Sequence, residues 1–243
     1  SLLRDKVDIS FIEKTAGKHT NYHFVLWYEH QRTILVKHEK FDYAPPALPA
    51  APGWLYLSSL GENSLDYHHK LLGLLDRFPE TKLAFQPGTY QLEFGKEELA
   101  DVYKRADIFF CNKEEAKKIL GFPAGTQMKQ LLVGIKALGP KIAVITDDIR
   151  GADAMDTERN FLHIPRYPDP RPPYEITGAG DAFASTTVAA LALEKPLNEA
   201  LLWGATNASA VLQEIGAQKG LLTRKQLEHK LANPPAEFKI SAL

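Results

Sequence analysis

Apolar positions along this chain follow two rhythms, and where one gives way to the other marks the element boundaries. From Asn21 the period is two: Tyr22, His23, Phe24, Val25, Leu26, Trp27 and Tyr28, then the polar Glu29-His30-Gln31, then Arg32 to Lys37 around Ile34, Leu35 and Val36. Two extended runs about a short polar turn predict a β-hairpin over 21–40. Apolar residues on both sides of the first run predict cover on both of its faces. A proline-rich connector at 41–52 follows. The rhythm then alternates between short apolar runs and helical spacing. Strands are predicted at 54–58, 82–85, 107–111 and 141–146. Between them fall a helix capped by Ser64 and stopped by Pro79, one from about 96 to 105, one from Lys113 to Gly121, and one capped by Thr126 and ended at Gly139-Pro140. This alternation implies an α/β fold, a mostly parallel sheet with helices on both faces. After Thr146 an antiparallel hairpin is predicted, 152–155 against 161–164. A proline-rich loop at 165–173 leads to three helices: 181–193, 198–215 ended by Gly216, and one opened by the capping box Thr223 to Gln226. The first 20 residues give only a weak pattern.

With 243 residues, 44% hydrophobic and 24% charged, the chain fits one large domain over 1–243 with an ample core. A formal net charge of −1 supplies no field that would attract nucleic acid or an anionic membrane. The single cysteine, Cys111, excludes an internal disulfide framework and reads as a small buried hydrophobe in a reducing compartment. No apolar run approaches membrane-spanning length, and Ser1 to Lys6 lack a signal-peptide layout, so a soluble cytoplasmic protein is expected. The histidine pairs His19/His23 and His68/His69 have no matching third ligand and read as polar surface.

The chemistry concentrates in Glu175-Ile176-Thr177-Gly178-Ala179-Gly180-Asp181-Ala182-Phe183. An extended run turns at two glycines directly into an alanine-rich helix. Its first N–H groups have no partners within the helix, and the helix dipole adds partial positive charge, so the turn suits an anion, above all a phosphate. Asp181 has two readings. It is a helix cap worth roughly 0.5–2 kcal/mol, or a general base beside N–H groups that hold a transferring phosphoryl. The glycines favour the base, since a cap does not require them. A dinucleotide fingerprint fits worse because Phe183 occupies its third glycine position. Open parallel sheets bind ligands beyond the carboxyl ends of their strands. There stand Asn112-Lys113-Glu114-Glu115 and Thr146-Asp147-Asp148-Ile149-Arg150-Gly151. Alone, Glu114 and Glu115 read equally as ordinary first-turn helix acids.

The stretch Thr177 to Phe183 resembles the second signature of the ribokinase-like (PfkB) family of carbohydrate and nucleoside kinases, and the other segments fall in matching order. The resemblance implies an ATP-dependent kinase acting on a primary hydroxyl of a sugar or nucleoside. Asp181 would be the base, and Gly178, Ala179 and Gly180 the anion hole. Asn112 and Glu115 match the Asn-x-x-Glu motif that organises Mg²⁺. Thr146, Gly151, Thr177, Asn207 and Gly216 would belong to the nucleotide and cation sites. Magnesium, which keeps several waters and takes few carboxylates, suits a lone Asn and Glu. Asn207 reads equally as a helix residue bonded to a neighbour. Two departures stand out: Asp148 where glycine is usual, and Glu175 where aspartate is usual. A monovalent cation such as K⁺ is left open on that account. The hairpin resembles part of the family's lid, which implies a homodimer through it, although an ordinary edge hairpin fits the same pattern. The sequence has no Gly-Gly signature and no leading strand with a sugar-binding Asp, so the chain is expected to be N-terminally incomplete. A catalytically weak nucleotide- or sugar-binding protein on the same scaffold is the alternative.

Overall fold

A computed structural model gives the fold of residues 2–28, 31–37, 39–168, 170–174 and 176–243. The hairpin turn Glu29-His30 and the departure at Glu175 lie outside the described residues. Strands β1 (Tyr22–Tyr28) and β2 (Gln31–Lys37) pair antiparallel as a separate sheet, with Phe24 opposite Leu35. Among the described residues the expected cover is not found on one of the two faces. Tyr22, Phe24 and Leu26, which share a face by the two-residue period, and Leu35 opposite them are all exposed. Edge-to-face packing of Tyr22 on Phe24, with centroids 5.3 Å apart, is local and leaves that face open.

The main sheet follows the alternation in the sequence. In chain order come β3 (Trp54–Leu57), α1 (Leu65–Arg77), β4 (Lys82–Phe85), α2 (Thr89–Glu98), α3 (Ala100–Arg105), β5 (Ile108–Asn112), α4 (Lys113–Leu120), α5 (Met128–Ala137) and β6 (Ile142–Thr146). Strands β3 to β6 lie side by side and parallel. The hairpin of β7 (Ala152–Met155) and β8 (Phe161–Ile164) extends the sheet antiparallel, with β9 (Ser241–Ala242) at its edge. Helices α6 (Ala179–Ala192), α7 (Leu197–Val211) and α8 (Arg224–Ala232) complete the chain. Strand residues alternate between two cores: Leu83, Phe85, Phe109, Cys111, Ala143 and Ile145 pack with α1, α3 and α5, while Ala84, Ile108, Phe110 and Val144 pack with α6 and α7. That is a three-layer α/β arrangement, and each fully buried Leu or Phe in it contributes about 1.5–3 kcal/mol.

Three boundary expectations are corrected. The helix expected from 96 to 105 is two helices, and α2 begins at Thr89. There the Gln91 amide accepts from Gly88 N–H (3.1 Å) and donates to the Ser58 carbonyl (2.8 Å), an anchor that Pro87-Gly88 concealed. Gly95, at φ 87°, kinks the backbone within α2, ahead of α3. Ser64 precedes α1 but its hydroxyl is buried and bonds nothing, so it does not cap. Thr126 donates to the Pro123 carbonyl (2.8 Å), and α5 starts later, with Gln130 accepting from Gln127 N–H (3.2 Å).

Candidate active site

The turn into α6 is set by backbone that only glycine adopts readily. Gly178 lies at φ 83°, and a Cβ there would stand 2.4 Å from Ala217 Cβ, so the loop after α7 presses directly against it. Gly180 is different: a Cβ there would meet nothing within 4 Å. One glycine allows the turn, and the other keeps the open side of the first helical turn bare. Behind them Phe183, Ala184 and Val188 bury against the sheet, which fixes the helix N-terminus over the strand ends. Asp181, in that first turn, is exposed.

Because β5 and β6 pair Asn112 with Thr146, both strands end at the same height beneath this turn. Two cavities meet there. The smaller, about 190 Å³, is lined by Gln86, Asn112, Glu115, Thr146, Gly178, Gly180 and Asp181. The larger, about 690 Å³, shares Asn112, Thr146, Gly180 and Phe183 with it and runs past Lys113, Asp147, Gly151, Ala179 and Ile176 to Ala208, Ser209 and Leu212 on α7. Gly180 therefore stands on the shared wall of a small polar cavity and a large, mostly apolar one.

Asn112 and Glu115 form a reciprocal capping box on α4: Glu115 N–H donates to Asn112 Oδ1 (2.9 Å), and Asn112 N–H donates to Glu115 Oε2 (2.8 Å). Burial pushes the Glu115 carboxyl above its ordinary value. The Asn112 N–H opposes that shift, and the charge of Asp181 adds to it. At the other cavity Lys113 and Arg150 both bond Asp147 Oδ2, at 2.9 and 2.8 Å. Burial raises Asp147, but these two cations outweigh it and hold the carboxyl below its usual range. Asp148 adopts φ 48°, a left-handed angle that Asp tolerates better than most residues, and Gly151 closes the turn at φ 90°.

Of the residues singled out in the sequence, Gly178, Gly180, Asp181, Asn112, Glu115 and Thr146 line one cavity, and Ala179 and Gly151 line the other. Thr177 precedes the turn with its hydroxyl buried and unbonded. Asn207 lines neither cavity. Its amide donates to Thr186 Oγ1 (2.7 Å) and accepts from Leu222 N–H (2.9 Å), so it ties α7 to α6 and to the loop before α8. Gly216 does not line either one; its neighbour Ala217 reaches the site by supporting Gly178. Gln86 was missed: its Nε2 donates to Asp181 Oδ1 (2.8 Å), and its Oε1 accepts from the Tyr56 hydroxyl. It is the first residue beyond β4, a strand-end position that could have flagged it. Among the described residues no three His, Cys, Asp or Glu side chains form a metal cage, and no helix is long and apolar enough to cross a membrane.

The profile described as pfkB family carbohydrate kinase matches residues 1–224. Ketohexokinase of Mus musculus is 30% identical over 115 residues, 47% of this chain and 37% of that protein. The bifunctional protein HldE of Proteus mirabilis is 26% identical over 184 residues, 72% of this chain and 35% of that protein. The chain thus spans little more than a third of the length of these curated relatives. Among solved structures, the ribokinase of Arabidopsis thaliana complexed with ribose and ATP superposes with a TM-score of 0.75 at 18% identity, covering 93% of this chain and 74% of that one. The fructokinase of Vibrio cholerae with fructose, ADP and calcium bound gives 0.75 at 17% identity, covering 94% and 78%. These two likenesses bear on the fold.

Proposed function

Since this chain belongs to the pfkB family of carbohydrate kinases, we propose that it transfers the γ-phosphoryl of ATP to a primary hydroxyl of a sugar or nucleoside. The observation that carries this reading is Asp181, an exposed carboxylate one residue beyond the bare Gly180 corner where the two cavities meet. In the reaction the Asp181 carboxylate takes the proton of the acceptor hydroxyl. The acceptor oxygen forms its bond to the γ-phosphorus while the bond from phosphorus to the β–γ bridging oxygen breaks, and ADP leaves with that electron pair. N–H groups at 178–181 stabilise the charge on the transferring phosphoryl. Positioning and electrostatics supply most of the rate in such transfers.

The larger cavity suits the nucleotide. Its apolar wall of Phe183, Ala208 and Leu212 offers a surface for a base, and Thr146 and Gly151 border the phosphate side. Asn112 and Glu115 form a donor set that fits Mg²⁺: hard oxygens, one carboxylate, and room for retained waters rather than a closed cage. Bound there, Mg²⁺ supplies charge neutralisation to the phosphates, and Asn112 and Glu115 would hold it through water. A need for K⁺ is tested by titrating turnover with KCl. The exposed apolar face of β1 and β2 supports pairing with a second copy, which Phe24→Glu would disrupt in sedimentation.

Calorimetry with Mg-ATP, alongside ADP release on D-ribose, D-fructose and adenosine, tests the proposal. Mg-ATP binding together with ADP release on at least one acceptor is the expected result. Binding without transfer to any acceptor would favour the alternative, a catalytically weak nucleotide-binding protein, for which Asp148 at the nucleotide turn is the motivating departure.

A further inference from the structure

We infer that Gln86, itself held by Tyr56, is a positioning residue that fixes which oxygen of Asp181 faces the acceptor. This rests on the reading of Asp181 as the base and adds a part to it. The donor and acceptor inventory settles the direction of the relay. A carboxylate at neutral pH only accepts, so the Gln86 atom 2.8 Å from Asp181 Oδ1 must be the NH₂ group. The amide oxygen then turns toward Tyr56, and a tyrosine hydroxyl facing a carbonyl oxygen must donate. Each member dictates the orientation of the next.

Sheet register places the three residues together. Tyr56 pairs with Ala84 across β3 and β4, and Gln86 lies two residues beyond Ala84, on the same side of the sheet. Gln86 N–H donates to the Leu57 carbonyl (2.9 Å), which continues the parallel ladder past the end of β4 and fixes the residue that carries the amide. On that same side Ala84 and Phe110 pack with Phe183 and Ala184 of α6, so the first turn of α6 comes down beside the amide. Tyr56 is partly buried, and burial together with the Asp181 charge keeps its hydroxyl protonated and able to donate. With Oδ1 occupied by Gln86, Oδ2 is the oxygen left to take the acceptor proton. A carboxylate without the amide would rotate about its terminal torsion, which is broad for this side chain, and would present the wrong geometry for part of the time.

Two measurements on the purified chain test the relay. In ¹H–¹⁵N spectra the Gln86 side-chain NH₂ signal, identified by its loss in Gln86→Leu, should move upfield in Asp181→Ala and also shift in Tyr56→Phe. This needs no substrate, and a signal unmoved by Asp181→Ala overturns the inference. Turnover is then followed with Mg-ATP and D-ribose, D-fructose or adenosine. Since a misplacement near 1 Å can cost about 10²-fold, Gln86→Leu should lower kcat by roughly 10- to 100-fold and leave the KM for Mg-ATP unchanged. Tyr56→Phe should lower kcat less, and should have no further effect in the Gln86→Leu background because it acts through that amide. Additive losses in the double variant, or a KM change without a kcat change, overturn the relay. Asp181→Asn separates the two ideas: if it retains turnover, the base reading fails, whereas if it abolishes turnover while Gln86→Leu keeps full kcat, only the relay fails.

Discussion

Glu115 and Asp181 line one cavity of about 190 Å³, and the charge of Asp181 adds to burial in pushing the Glu115 carboxyl above its ordinary value. The two acids are held together at a cost to stability, the arrangement expected where a cation is to be bound.

Glu115→Gln removes one of those charges but keeps an acceptor at the third helical position, so the capping box survives. An acid whose folded pKa lies above its unfolded value of 4.5 binds more protons in the native state between the two values. Stability therefore falls as pH rises through that window, and the penalty is fully present above it. The variant should melt higher than the parent at neutral pH, with the gain shrinking toward pH 4.5, while its Mg²⁺ requirement for turnover rises on the order of 10–100-fold. Calorimetry at several pH values and a Mg²⁺ titration check both halves. A lower melting point at neutral pH would contradict the sign.

The two signature glycines should respond oppositely to alanine. Gly178→Ala meets both the left-handed penalty of roughly 1–2 kcal/mol and the Ala217 contact at 2.4 Å, so it should be destabilised. Gly180→Ala enters open space in a helix and should gain about 0.5–1 kcal/mol, yet under the proposed chemistry its methyl group would intrude on the transferring phosphoryl. Denaturant melts and turnover should show a less stable protein in the first case, and in the second a more stable one that has lost most of its activity.

Asn207→Ala should cost about 1–3 kcal/mol, because it leaves the Leu222 N–H and the Thr186 hydroxyl without their bonds. The affinity for Mg-ATP, read by calorimetry, should hold, since Asn207 does not line the cleft.

Sequence patterning carried most of this fold, because residues such as Val144, Phe109 and Phe85 alternate between two buried faces and allow no other element. The turn at Thr177 to Asp181 was legible for a related reason: two glycines ahead of an alanine-rich run mark a sharp entry into a helix. What was illegible was long-range. Gln86 acquires meaning only when the β3–β4 register brings Tyr56 beside it and α6 lowers Asp181 onto it, 95 residues further on. Asn207 fails as a cleft residue for the same reason, since the rotation of α7 turns it toward Thr186 while Ala208 and Ser209 line the cavity. The start of α2 was hidden because its anchor is a glutamine reaching back to Ser58 rather than a capping hydroxyl.

His68 is fully buried, with Nδ1 2.7 Å from the Ser64 carbonyl, and burial pushes its pKa below the ordinary 6.5. The expectation that it is polar surface is thereby corrected. A histidine whose folded pKa is depressed binds its proton more readily unfolded, so it contributes a loss of stability as pH falls below 6.5. His68→Leu should therefore show a shallower fall of melting temperature between pH 7 and pH 5 than the parent. An equal slope in both would mean His68 is not the group responsible.

The most direct test of the proposed chemistry is Asp181→Asn, assayed for ADP release with whichever of D-ribose, D-fructose and adenosine the parent phosphorylates, and by calorimetry for Mg-ATP. Turnover should fall by roughly 10²–10⁴-fold, the contribution of a positioned base, while Mg-ATP affinity is retained. Undiminished turnover in that variant would contradict the assignment of Asp181 as the base.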